Sequence, residues 1–219
     1  MFWYYPYMEV ISSSTIQTWE RFYRANFVNS LTGFKSVSLI GTINQSGQTN
    51  LAIFSSVVHL GSDPALIGFI NRPIKAAPHT LANIQSTGTY TINHVHPSFL
   101  ESAHQTSAKY PEEISEFDEL GLTPEFFDAT AAPFVKESKV KYGLTLEEII
   151  PIKVNNTFLV IGKLQSVALE EDILLPDGFL ELDKASSICS NGIDAYYSTQ
   201  LIDRYEYAKP GVRPEKLTK

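Results

Sequence analysis

The sequence predicts a mainly β protein with helices between its strands, built as an antiparallel barrel. Three observations lead there. Runs rich in β-branched and apolar residues follow one another through the first half of the chain without long crossovers. Helical periodicity is confined to short stretches that begin at Pro or at small polar caps. No GxGxxG follows a strand, and GxxxxGK[ST], GxSxG, HExxH and CxxC are absent, which argues against doubly wound nucleotide folds and their chemistry.

In chain order, Ser14 to Val28 places Ile16, Trp19, Phe22 and Tyr23 on one helical face and is expected to bury them as core. Phe34 to Ile43 and Leu51 to Leu60 read as two strands of a hairpin around Gln45-Ser46-Gly47-Gln48. Ala65 to Asn71 is a third strand, bounded by Ser62-Asp63-Pro64 and Arg72-Pro73. Pro78 to Thr87 reads as a helix, with Pro in its first turn and Gly88 just past its end. Thr89 to Val95 alternates as a half-buried strand. Short helices are expected near Pro97, Pro111 and Pro124, and the acid-rich stretch from Lys109 to Glu148 reads as a solvated helical face. Thr157 to Leu169 is the clearest later strand. A single domain is expected over residues 1–208, with a loose tail at 209–219.

Composition narrows the function. With 43% apolar and 19% charged residues the chain can build a core. A net charge of −7 argues against general nucleic-acid or anionic-membrane binding. The single cysteine, Cys189, closes no intrachain disulfide and fits a reducing, cytoplasmic setting. No apolar run approaches the ~20 residues of a membrane span. The greasy start, Phe2-Trp3-Tyr4-Tyr5-Pro6-Tyr7, has no basic flank and no small-residue cleavage site. It is read as part of the working protein, packed on the barrel or across a dimer, either near one wall of the site or as core away from it.

Charge is unevenly spread. From Phe27 to Val95 the charged residues are Lys35, Asp63, Arg72 and Lys75. Arg72 and Lys75 sit in Asn71-Arg72-Pro73-Ile74-Lys75-Ala76-Ala77-Pro78-His79-Thr80, which ends at a helix N-terminus. Unpaired backbone N–H groups, the positive dipole end, a Thr hydroxyl and nearby cations make a phosphate site; a solvated loop with incidental basic residues explains the same stretch. Asn50 to Ser56 is a strand with polar ends that present N–H groups and hydroxyls, or a plain hairpin strand. His94 and His96 share a strand face as a weak metal pair, but the expected metal set is none. Glu112 to Glu119 reads as helix-surface solvation, and Cys189 as a small core residue.

The order of these segments resembles the flavin reductase-like, flavoredoxin-type FMN-binding split-barrel family. The resemblance rests on Thr49-Asn50-Leu51-Ala52-Ile53-Phe54-Ser55-Ser56, then Ser62-Asp63-Pro64-Ala65-Leu66-Ile67-Gly68, then His79-Thr80-Leu81-Ala82-Asn83-Ile84 leading through a strand to Asn93. It continues through Glu116 to Thr123, Ala132 to Ser138 and Phe158 to Leu164. Ile53 and Ala65 stand where the family often has Pro, and His79 where it has Asp. The resemblance implies an antiparallel Greek-key split barrel and a homodimer with FMN at the interface. The ring would lie along Leu51 to Val57 and the phosphate near Arg72, Lys75, His79 and Thr80. The implied cofactor contacts are Thr49, Asn50, Leu51, Ala52, Ser55, Ser56, Val57, Asn71, Arg72, Lys75, His79, Thr80 and Asn83, and no catalytic residue is singled out. The implied reaction passes hydride from NADH or NADPH through FMN to free flavin, ferric iron, or a small-molecule or protein acceptor. The rival is a non-catalytic FMN-binding electron carrier on the same barrel.

Overall fold

The computed structural model describes residues 8–128 and 130–217. The aromatic segment expected to shape the site, Phe2 to Tyr7, lies outside them. Two helices come first, α1 (Ser13–Thr18) and α2 (Arg21–Leu31), where one was expected. The break has a local cause, because each helix carries its own cap. Ser12 Oγ accepts from the Thr15 amide at 3.1 Å, and Glu20 Oε2 accepts from the Phe22 and Tyr23 amides at 2.7 and 3.2 Å. Trp19 between them is extended. The expected core face is not core: Phe22 and Tyr23 are 70% and 63% exposed. Trp19 packs edge-on against Tyr23 and Phe27 instead, at 4.9 and 5.0 Å between ring centres.

The strands follow: β1 (Lys35–Ser36), β2 (Ser38–Ile43), β3 (Thr49–Phe54), β4 (Val58–Ser62) and β5 (Ala65–Asn71). Then come α3 (Pro78–Thr87), β6 (Thr89–His94), a 3-10 turn at Pro97–Phe99, α4 (Leu100–Gln105) and α5 (Glu116–Leu120). The remainder is β7 (Pro124–Phe127), β8 (Thr130–Val135), β9 (Val140–Ile152), β10 (Thr157–Leu169), β11 (Cys189–Asn191) and β12 (Ala195–Tyr197). Seven strands form one sheet in the order β3-β2-β6-β9-β10-β5-β4, and every pairing in it is antiparallel.

That order makes the sheet a barrel with a slit. β3 and β4 are its two edges, yet only Ser55, Ser56 and Val57 connect them, a span of at most about 14 Å. The sheet therefore rolls until its edges approach. The connector is held there by Ser56 Oγ, which donates to the Ile70 carbonyl and accepts from the Ile70 amide, both at 3.1 Å. The single strand expected from Leu51 to Leu60 is corrected accordingly: it is two strands that pair with different partners. β2 is covered on both faces. Ile40 belongs to a cluster with Phe54, Phe69, Tyr90, Ile92 and Leu144, and Leu39 to one with Leu51, Val95, Phe99 and Phe117.

The second half also departs from expectation. Pro124 starts the strand β7 and not a helix, a position where its missing N–H costs no ladder bond. Pro111 opens a turn closed by the Ile114 amide at 3.1 Å, and helix begins only at Glu116. From Pro124 to Glu148 the expected helical face is the strands β7, β8 and most of β9, whose charges Glu147 and Glu148 are exposed near its far end. Beyond Ala208 the described tail folds back on residues 203–206, through the bridge of Tyr205 with Lys216 and the ion pair of Lys216 with Asp203 at 2.8 Å. Among the described residues no helix is long and apolar enough to cross a membrane.

Candidate functional site: a cationic cavity along the barrel edge

Asn71 prepares the site. Fully buried at the end of β5, it donates from Nδ2 to the carbonyls of Arg72 at 2.8 Å and Ala77 at 3.5 Å. Both ends of the loop 72–77 are thereby held together in front of α3. Pro78 starts that helix, Gly88 ends it in the left-handed conformation at φ 73°, and no side chain caps its N-terminus. The first-turn N–H groups thus face outward beside Arg72, Lys75, His79 and Thr80.

A buried polar network fixes this end to the sheet. Asn50 Nδ2 donates to Thr80 Oγ1 at 3.3 Å and Thr42 Oγ1 at 3.4 Å, and Asn83 Nδ2 donates to Thr42 Oγ1 at 3.1 Å. On the neighbouring side α5 clamps the edge strand. Thr49 and Ser115 share a hydroxyl hydrogen bond at 2.6 Å, and Glu116 Oε2 accepts from the Leu51 amide at 2.9 Å. The Leu51 amide thus points away from β2, and alternation turns the Ile53 amide the same way.

These elements enclose a cavity of about 610 Å³, within the size range of small-molecule sites. Of the sequence candidates, Asn50, Ala52, Ser55, Ser56, Arg72, Lys75, His79 and Thr80 line it. Thr49, Leu51, Val57, Asn71 and Asn83 do not. Leu51 is core, its amide taken by Glu116; Val57 packs against the Phe54 cluster; Thr49, Asn71 and Asn83 brace the wall from behind.

Among the lining residues that sequence reasoning did not single out are Lys35, His104, Lys109, Tyr110 and Glu116. Glu116 corrects the solvated-helix reading, since it is 5% exposed. Burial pushes its carboxyl pKa up, against the Leu51 amide, its own amide and the nearby His79. Nothing in an acid-rich run marks which acid turns inward. Among the described residues the lining carries Lys35, Arg72, Lys75 and Lys109 against the single carboxylate of Glu116, in a chain of net charge −7. Such a cavity concentrates anions.

His94 and His96 lie elsewhere. His96 Nδ1 accepts from the Ser98 amide at 3.1 Å and caps the 3-10 turn. His94 is 3.1 Å from Ser187 Oγ, and burial pushes its pKa down to about 4. The folded-state value lies below the unfolded one, so as pH falls the unfolded chain takes up this proton first. Stability is therefore lost between about pH 6.5 and pH 4, by about 2 kcal/mol on going from pH 7 to pH 5. In urea titrations His94→Gln should flatten that part of the profile; a variant whose profile stays parallel to the parent would contradict the assignment.

The comparisons agree with this architecture. Residues 34–180 match the model of the flavin reductase like domain. A protein of Shewanella frigidimarina NCIMB 400 with a split barrel domain, provisionally assigned as a flavin reductase, is 45% identical. It superposes with a TM-score of 0.88 over 92% of this chain and 100% of its own. An uncharacterised protein of Aquifex aeolicus is 28% identical over 142 residues, 64% of this chain and 71% of its own. Flavoredoxin of Desulfovibrio vulgaris (Miyazaki F), at 23% identity, has the same fold, with a TM-score of 0.68 over 82% of this chain and 92% of its own. The resemblance read from the order of motifs, and the split barrel it implied, are borne out.

Proposed function

Since the chain belongs to the flavin reductase like domain family and is a flavin-linked oxidoreductase, we propose that it binds FMN in the cationic cavity and reduces it with NADH or NADPH. The observation that carries the reading is the uncapped α3 N-terminus flanked by Arg72, Lys75, His79 and Thr80 inside a cavity of about 610 Å³. That cluster suits one phosphate monoester. Thr80, anchored by Asn50, offers a hydroxyl, and Arg72 and Lys75 offer charge-assisted bonds. The outward Ile53 amide on β3 would meet the polar edge of the ring, while Ala52 and Ser55 form its floor. Bound there, the flavin would accept a hydride and pass electrons on, chemistry that needs alignment more than a protein acid or base. Among the described residues, the lining beyond the strand, with His104, Tyr110 and Ile193, leaves room for a second substrate, which favours the reductase over a closed electron carrier.

A homodimer completes this reading. Phe22, Tyr23, Leu31 and Phe34 are each more than 60% exposed, a greasy surface that a second copy would cover. A cytoplasmic setting fits the single cysteine.

The test begins with the purified protein. Released flavin should run as FMN, and the bound chromophore should bleach anaerobically with NADH or NADPH. Mainly FAD, or no bleaching with either nucleotide, defeats the proposal. Arg72→Ala should weaken FMN binding by about 1–3 kcal/mol while the fold survives, because Arg72 is an exposed loop residue. An unchanged affinity in a fluorescence titration at moderate salt would remove Arg72 from the phosphate site.

A further inference from the structure

The family match ends at residue 180, yet Ser190, Gly192, Ile193 and Tyr196 line the cavity. One wall is thus supplied by the β11–β12 hairpin, outside the matched segment. On it Tyr196 brings its hydroxyl to 2.6 Å from Nδ1 of His104 on α4, with the two rings edge to face at 5.7 Å. Tyr196 packs against the same core cluster as Ile53. Along β3, Ile53 lies about 10 Å from Asn50, whose side chain bonds Thr80 at the anion end. The pair thus lines the cavity from α4 and the β11–β12 hairpin, elements other than α3 and the loop before it. Burial and Asp194 hold the Tyr196 hydroxyl pKa above its usual value, so it keeps its proton at neutral pH. When His104 Nδ1 carries a proton it donates to the Tyr196 oxygen, which leaves the hydroxyl proton available to a ligand.

We propose that Tyr196 and His104 form the subsite of the second substrate, binding the carbonyl oxygen of a quinone-type acceptor and donating the proton that its reduction requires. The proposal rests on the flavin reading above. A flavin bound in the cavity would supply the hydride, two electrons with one proton, and the Tyr196 hydroxyl supplies the second proton. The Tyr196 O–H bond breaks as the product O–H bond forms, giving the hydroquinone. The Tyr196 oxygen regains a proton from His104 Nδ1, and the exposed His104 ring takes one from water.

The experiment uses FMN-loaded protein, wild type and Tyr196→Phe. Reoxidation of the photoreduced protein by 1,4-naphthoquinone should slow about 100-fold, the scale of a lost general acid. Reoxidation by ferricyanide, which takes one electron and needs no proton, should be unchanged. Binding of 1,4-naphthoquinone to the oxidised protein should weaken about 3- to 10-fold, the worth of one hydrogen bond. His104→Gln serves as the second variant and should slow the quinone alone. A quinone rate within twofold of wild type in Tyr196→Phe overturns the proposal, and so does an equal loss with both oxidants, which marks a structural role. A wild-type protein that holds no flavin instead overturns the flavin reading, and this proposal with it.

Discussion

Replacing Gly41 with alanine is expected to destabilise the protein by about 3 kcal/mol. A Cβ there would stand 2.2 Å from the Pro133 carbonyl oxygen and 2.6 Å from Thr91 Oγ1. Neither can yield cheaply, because the carbonyl is backbone and Thr91 Oγ1 donates to it at 2.6 Å inside the core. Gly41 pairs with Leu51 on β3 and with Thr91 on β6. Any shift therefore pushes apart the sheet and the β8 strand lying over it, and reaches the edge strand that walls the cavity. Urea denaturation of Gly41→Ala beside the parent measures this directly. A midpoint unchanged at equal slope would mean that β8 lifts freely, which the buried Thr91 bond argues against.

Asn93→Ala should cost at least as much, about 3 kcal/mol or more. Asn93 is fully buried. Its Nδ2 donates to the Leu39 carbonyl at 3.1 Å and to Thr91 Oγ1 at 2.9 Å, and its Oδ1 accepts from the Val135 amide at 2.9 Å. One side chain thus joins β2, β6 and β8. Alanine leaves the Val135 amide buried with its acceptor removed, and adds a void where the carboxamide was. The melting temperature should fall by roughly 10 °C for a chain of this size. A drop of only a degree or two would show that water enters and replaces the carboxamide.

Both residues bear on what was legible beforehand. Ala65–Asn71, Pro78–Thr87 and Thr157–Leu169 are found with the bounds their residues predict. Each is delimited by chemistry that acts within a few residues: Pro at a start, Gly in the left-handed region, or a β-branched run. The cationic end of the cavity was legible for the same reason, since the cations beside the α3 N-terminus are neighbours in sequence. The motif order carried the split barrel without showing where the slit falls.

By itself the sequence thus determined the strand-rich antiparallel class, the family, and the half of the cavity built from one contiguous stretch, Asn50 to Thr80. Tertiary structure alone decided the rest, because the deciding contacts join distant residues. Leu51 loses its amide to Glu116, 65 positions away, which leaves Leu51 behind the cavity lining and turns a predicted surface acid into a cavity wall. Tyr196 meets His104 across 92 positions. The strand from Leu51 to Leu60 divides because its halves find partners at opposite edges of the rolled sheet. The amphipathic pattern of Ser14 to Val28 does not specify what covers it, and two local caps outweigh its periodicity. Hydrophobic patterning and caps act over one or two turns of chain; burial of a particular carboxylate, or the pairing of a tyrosine with a histidine, depends on closure of the whole barrel.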